Sequence, residues 1–567
     1  MTRAPATGRW PASWPFAAGR EPGAVGGAAV STTDRYATEV GVEVLRSGGN
    51  AVDAAVAVSF ALAVVNPEAG GLGGSGFLLA RMADGRTLAL DFRGRAPGRA
   101  TADMFLDADG EVSGRSQLGP LAAAVPGSVK GLWEAHRALG ARPWRSLVEP
   151  AVVLARGLRV TERLTRSYPP HIVAGLERFA ESARIFLPGG RVPSVGETLR
   201  QPDLARTLER IAEEGADGFY RGTTAELLVE AMRRDGGILE LEDLASYHVA
   251  RREPIAFTYR EHTVLSMPPS SSGGVALAET AHQLADRSLS ALPWHCDEHV
   301  HLLAEAWKRA FADRNHYLAD ADFEHVPVAE LASAAYGGMR GREIGRRATP
   351  SGEVGPGVER HGGAAAAARR EGDHTTHVSV VDAEGNAVAT TTTLNTWYGS
   401  KWVAARTGVL LNNEMDDFTT KPGAPNHFGL VQGAANSIVP GKRMLSAMTP
   451  TLVLDPGEAL RLVLGAPGGA TIITTVFQVL SNILDHGMQL ADAVAAPRVH
   501  HQHRPDRIDV EPGGLSEAVV RELEDRGHSV HERPEPWGDV QAVAVRRGGR
   551  LEGAADPRRG GVALATR

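Results

Sequence analysis

Two adjacent threonines, Thr375 and Thr376, open the run TTHVSVVD behind the small-residue stretch GGAAAAARR and the link EGDH. Threonine's branched Cβ is stiff at χ1 and suits a strand. That accounts for threonine within a strand, not for a doublet at its very start behind a structureless segment. An internal threonine hydroxyl is a weak nucleophile. If the chain is cut on the N-terminal side of Thr375, the new α-amine, with a free pKa of about 8, becomes a general base for the hydroxyl of its own residue. Such a threonine needs little beyond an oxyanion hole, and a floppy preceding segment lets the cut end leave. Thr-Thr before a strand is also common in ordinary sheets, so the pattern alone leaves both readings open.

Glycine-rich loops are the next candidates. GAPGG at 465–469 follows a strand pattern and precedes a helical one, so its backbone N–H groups either face an oxyanion or only form a turn. GGLGGSG at 70–76 lacks a following GK[ST] and reads as a tight turn between helix and strand. His500, His501 and His503 cluster in sequence, as do His295, His299 and His301, but neither group has a zinc spacing, and packing or surface roles are expected. GGSGF does not supply the GxSxG of a serine hydrolase. The threonine chemistry calls for no cofactor and no metal.

The elements that must position these residues mix helix and strand. ATEVGVEVLRSGGN has apolar residues at helical spacing, and AVDAAVAVSFALAVVNP is an almost wholly apolar helix containing Asp53. FLLARM and TLALDFR read as a hairpin joined at ADGR. Residues 120 to 245 are mostly helical, and HLLAEAWKRAFADR reads as an amphipathic helix. HVSVVD and AVATTTTLN form strands around a turn at EGN. RLVLGAPGG, IITTVFQVLSNIL and VQAVAVRRGGRLEGAA read as strand, helix and hairpin. Antiparallel hairpins outnumber βαβ units, which points to α/β or α+β. Residues 1–27 are Pro/Gly/Ala-rich and read as a disordered tail, and 338–374 loses all periodicity and reads as a flexible linker.

The chain has 567 residues, 43% hydrophobic and 22% charged, with a formal net charge of −7. That is an ordinary globular composition with no footprint for nucleic acid. Cys296 is the single cysteine, so neither an intramolecular disulfide nor a thiolate metal cluster can form. The first residues, MTRAPATGRWPASWPFAAGREPG, lack the apolar core of a signal peptide, and no apolar stretch is long enough to span a membrane. The expectation is a cytoplasmic protein without nucleic-acid or membrane partners.

Much of the chain resembles the γ-glutamyltranspeptidase family of N-terminal-nucleophile hydrolases. The matching segments include GGNAVDAAVAVSFALAVVNPEAGGLGGSGF, LDFRGRAP, SMPPSSSGG, TTHVSVVDAEGNAV, TLN, GVLLNNEMDDF, GLVQGAANSIVPGKRMLSAM, GAPGG, PRVHHQ and GAADPRRGG, in the family's order. The resemblance implies an α+β fold, a four-layer αββα sandwich made from two autoprocessed subunits. Cleavage at the His374–Thr375 bond would give a large subunit, 28–374, and a small catalytic subunit, 375–567, intertwined as one domain.

It further implies that Thr375 attacks a substrate carbonyl and holds the acyl group as an ester. Thr393 would hydrogen-bond the nucleophile, and Gly468 and Gly469 would stabilise the oxyanion, which decides the GAPGG question. Asn395, Glu414 and Asp417 would bind the ammonium of an amino-acid-like substrate. Arg93 and Ser446 would bind its carboxylate.

Two departures bear on the substrate. Where the family has a serine pair, this chain has Ser446-Ala447, which removes one hydroxyl donor. Thr396-Trp397-Tyr398 follows TLN where small residues are usual, so two aromatics are expected to narrow or reshape the mouth of the pocket. The default chemistry is γ-glutamyl amide cleavage or transfer. The alternative is a natural-product-pathway member that hydrolyses a C–C bond, as in alkylproline-type precursor assembly, or an acyl amide, as cephalosporin acylases do. A catalytically silent binding protein is disfavoured by the intact Thr375, Thr393, Gly468 and Gly469 set.

Overall fold

In the computed structural model, which describes residues 14, 16, 23–358 and 375–566, two seven-stranded antiparallel sheets face each other. The sheet that carries the threonine doublet runs in the order Val562–Ala565, Ala29–Thr32, Thr375–Val381, Ala387–Thr393, Ser75–Arg81, Thr87–Phe92 and Ala250–Arg252. The facing sheet runs Ala24–Gly26, Leu551–Ala555, Gln541–Val545, Leu460–Gly465, Thr451–Leu454, His262–Ser266 and Ile255–Tyr259.

Strand periodicity sorts the core into layers. Val378, Val380, Val388, Leu78 and Leu90 point to one side and join the helices Arg35–Arg46, Ala51–Val65, Ser128–Leu139 and Trp144–Arg156. Phe77, Leu79 and Ala389 point to the other side, against Val264, Leu452 and Val463 of the facing sheet. Helices Gly273–Gln283 and Thr471–Leu484 cover that second sheet. The result is the αββα sandwich.

The apolar helix Ala51–Val65 is buried along its whole length apart from Ser59, which is half-buried. Asp53 is tolerated there because its carboxylate accepts from the backbone N–H groups of Asn50, Ala141 and Arg142 at 3.0–3.2 Å, closing a capping box with Asn50. Helix Asp297–Tyr317 differs from its amphipathic reading. It is buried on every side from His299 to Asn315, and most of its buried charges are matched: Glu305 pairs with Lys308 and Arg309, and Asp313 with Arg340 of a neighbouring helix.

The ends of two sequence-based segments shift. Trp14, within the stretch read as a tail, is buried, with its indole N–H donating to the Ala495 carbonyl at 3.1 Å. Ala24–Gly26 adds an edge strand to Leu551–Ala555. A Pro/Gly-rich composition does not exclude anchoring by a single aromatic. In the stretch read as linker from 338, helix Ala334–Arg342 persists to 342, and 343–358 packs as irregular chain. Lys308 donates to the Thr349 carbonyl at 2.5 Å, and Asp313 accepts from the Gly357 N–H at 2.7 Å. Lost periodicity there marks lost regularity, not lost packing. Residues 359–374, with the rest of the expected linker and His374, lie outside the described residues. No helix among the described residues is long and apolar enough to cross a membrane.

Candidate active site

Thr375 is the first residue of its strand and pairs in register with Thr393, the last residue of the neighbouring strand. Strand alternation gives the two threonines of the doublet opposite faces. Thr375, His377 and Ser379 face the second sheet, where the His377 ring packs over Gly465 and Ser379 donates to the Gln541 carbonyl. Thr376 faces the helical layer, its Oγ1 3.2 Å from that of Thr33. Thr375 therefore looks into the cleft at the end of the inter-sheet layer and Thr376 does not.

The Thr375 and Thr393 hydroxyls are 3.2 Å apart, and Thr393 Oγ1 accepts the Asn395 backbone N–H at 2.9 Å. With that lone pair occupied, the Thr393 hydroxyl is oriented toward its partner. Asn395 adopts a left-handed backbone (φ 79°), and its amide donates to the Asn413 carbonyl at 3.0 Å.

Opposite the threonines, the Leu460–Gly465 strand leaves the second sheet and turns at Gly468 and Gly469 into helix Thr471–Leu484. Both glycines have positive φ, 138° and 55°. A Cβ at Gly469 would stand 2.5 Å from the Phe428 ring, so this turn requires glycine twice over. Neither N–H is committed to another hydrogen bond among the described residues, which leaves the pair available to a developing oxyanion.

The cleft between them is lined by Thr375, Thr393, Asn395, Arg93, Asp417, Ser446 and Gly469, among others. Arg93 lies just past the end of the Thr87–Phe92 strand and is fully buried. Its guanidinium pairs with Glu414 at 3.1 Å and contacts Asp417 through Nη2. Glu414 is itself buried behind Arg93, accepts from Ser75 Oγ at 2.6 Å and does not line the cleft. Burial pushes the carboxyl of Asp417 up to about 7, against the opposing pull of Arg93. Burial also raises that of Glu414, again against Arg93. Ser446 lies on a chain that pairs with Ser271, its hydroxyl accepting the Met448 N–H at 3.1 Å. Ala447 presents a methyl group to the cleft.

Thus seven of the nine expected site residues meet in one cleft; Glu414 and Gly468 stand immediately behind it. The aromatic pair after TLN does not reshape the mouth. Tyr398 is buried against Tyr168 and Phe186, bonded to Ser167 Oγ at 2.8 Å, and neither it nor Trp397 lines the cleft. Its positive φ of 57° turns the side chain into the helical core. The histidine clusters take up packing roles. His500 bonds Thr474 at 2.8 Å, His503 the Ser351 carbonyl at 2.9 Å, and His301 bonds His528 at 2.8 Å.

Sequence reasoning missed Arg314, Phe428 and Gln432, all of which line the cleft. Phe428 lies in the irregular chain 421–432, which carries no periodic signal. Arg314 left no trace in the sequence, where it resembles the other charges of its helix.

Fold and site define an enzyme of the N-terminal-nucleophile hydrolase class, with a threonine at the head of an inter-sheet cleft. The family model described as gamma-glutamyltranspeptidase matches residues 37–566, and the chain belongs to that family. It is 44% identical over 532 residues to the glutathione hydrolase proenzyme of Escherichia coli, covering 93% of this chain and 90% of the relative. Acylase ACY 1 proenzyme of a Pseudomonas species is 37% identical over 544 residues, 94% of this chain and 93% of the relative. Among solved structures, cephalosporin acylase from Bacillus halodurans matches with a TM-score of 0.85 at 27% identity, over 98% of this chain and 99% of that one.

Proposed function

We propose that this chain cleaves itself at His374–Thr375 and then hydrolyses or transfers a γ-glutamyl-like acyl group through an ester on Thr375. The observation that carries the reading is the placement of Thr375: strand head, hydroxyl 3.2 Å from Thr393, and cleft shared with Gly469.

Once the bond before it is broken, the Thr375 α-amine takes the proton from its own Oγ1, and the oxygen attacks the acyl carbonyl. The charge that develops on the carbonyl oxygen meets the N–H groups of Gly468 and Gly469. The amine then returns its proton to the leaving nitrogen. Water or an acceptor amine, deprotonated by the same α-amine, releases the acyl group. Asp417 and Asn395 receive the substrate ammonium, and Arg93 and Ser446 its carboxylate. Glu414 acts through Arg93, holding the guanidinium in place.

Release of a chromogenic amine from a γ-glutamyl anilide tests this. The mature protein is expected to turn it over, and Thr375→Ala to be inert. A correctly processed sample with no turnover would overturn the γ-glutamyl assignment. The whole-chain likeness to cephalosporin acylase favours a second reading, cleavage of an acyl amide that is not γ-glutamyl. A glutaryl anilide turned over in preference to the γ-glutamyl one would select it.

A further inference from the structure

The charges of the cleft are unevenly matched. Arg93 faces two carboxylates, those of Glu414 and Asp417. Arg314, from helix Asp297–Tyr317, lines the same cleft, is nearly fully buried and forms no ion pair among the described residues. Its hydrogen bonds go to neutral groups: Nε donates to Ser272 Oγ at 2.9 Å, and Nη1 to Asn315 Oδ1 at 2.8 Å and Gln432 Oε1 at 3.5 Å. Nη2 has no partner among the described residues. A guanidinium withdrawn from water without an ion-pair partner is costly, and burial draws its pKa down to about 10 against the opposing pull of Asp417.

We propose that Arg314 is a specificity-determining residue, whose guanidinium receives the carboxylate of the acyl donor. This rests on the acyl-transfer reading above. It selects donors whose acyl half bears a free carboxylate, because only an anion supplies what the buried cation lacks and what the planar fork binds with two donors. The position fits the surrounding chain. Ser272, which accepts from Arg314 Nε, donates to the Ser446 carbonyl at 2.7 Å, so the guanidinium is fixed to the segment that presents Ser446 and Ala447. The methyl of Ala447 offers no hydroxyl to a carboxylate, which leaves Ser446 and the arginines as the donors there.

A purely structural role is the competing account, with Arg314 merely clamping Ser272 to Ser446. The two accounts separate with a pair of donors: γ-L-glutamyl anilide and 4-aminobutyryl anilide, which keeps the ammonium and the scissile bond and lacks the α-carboxylate. In the mature Arg314→Gln protein, the ratio of kcat/KM values for the two donors is expected to fall at least about tenfold, through KM for the glutamyl donor. An equal loss with both donors, or no change in the ratio, would overturn the proposal. If Arg314→Gln does not mature, Arg314→Lys is read in the same way: a smaller fall confined to the glutamyl donor supports the proposal, and an equal loss overturns it. Wild-type protein that turns over neither donor overturns the γ-glutamyl reading itself and this proposal with it, a result distinguished by needing no variant.

Discussion

The hydroxyls of Thr375 and Thr393 meet at 3.2 Å because their residues are register partners at the open end of two antiparallel strands. Thr376, one position on, points into the opposite layer toward Thr33. Removing the Thr393 hydroxyl leaves the nucleophile in place but unoriented. Thr393→Val is expected to lower kcat roughly 3- to 10-fold with little change in KM, the worth of one neutral hydrogen bond. Steady-state kinetics on a γ-glutamyl anilide checks this, and an unchanged kcat would remove Thr393 from the account.

Gly469 is constrained by a φ of 55° and by the Phe428 ring 2.5 Å from any added Cβ. Gly469→Ala is expected to displace the oxyanion donors and to cut kcat by about 100-fold or more. The drop is expected in kcat because the interaction is made only as charge develops. A matching rise in KM with kcat intact would place Gly469 in ground-state binding instead.

Asp417 carries a carboxyl held up to about 7, chiefly by burial. A raised carboxyl pKa means the group is neutral below that pH and ionised above it. Only the ionised form attracts a substrate ammonium, so KM for an ammonium-bearing donor is expected to fall as pH rises from about 6 to about 8. Asp417→Asn is expected to flatten that limb. A wild-type KM constant across the range would contradict the assignment.

Asp53 is the one charge on the Ala51–Val65 helix, and three backbone N–H groups depend on it. Asp53→Ala leaves these part-buried groups without their acceptor, at an expected cost of about 1 kcal/mol or more. Thermal unfolding of the mature protein should register the loss while kcat/KM stays put. A melting temperature equal to wild type would show that the cap is replaced by water or by relaxation.

What the sequence revealed follows from how local each signal is. Hairpins such as Ser75–Arg81 with Thr87–Phe92 carry their own alternation and turn residues. The threonine doublet and GAPGG are chemical signals confined to a few positions. Arg93 was assigned to the pocket only by resemblance. Nothing in LDFRGRAP tells that Arg93 is buried while Arg95, two residues on, reaches the Gly441 carbonyl and His248 nearer the surface. Tyr398 misled because a positive φ at one residue reverses a side chain, which composition cannot register. Arg314 escaped notice because its significance is relational. Lys308 and Arg309 on the same helix look alike in sequence, and only the fold shows that they have Glu305 while Arg314 has the cleft.

The proposed chemistry depends on Thr375 becoming a nucleophile through cleavage of its own chain. Intact-mass measurement with N-terminal sequencing of the purified protein tests this most directly. The predicted result is two polypeptides, the smaller beginning Thr-Thr-His-Val, with Thr375→Ala remaining a single chain. A single full-length chain that persists on incubation and behaves as Thr375→Ala does would contradict it.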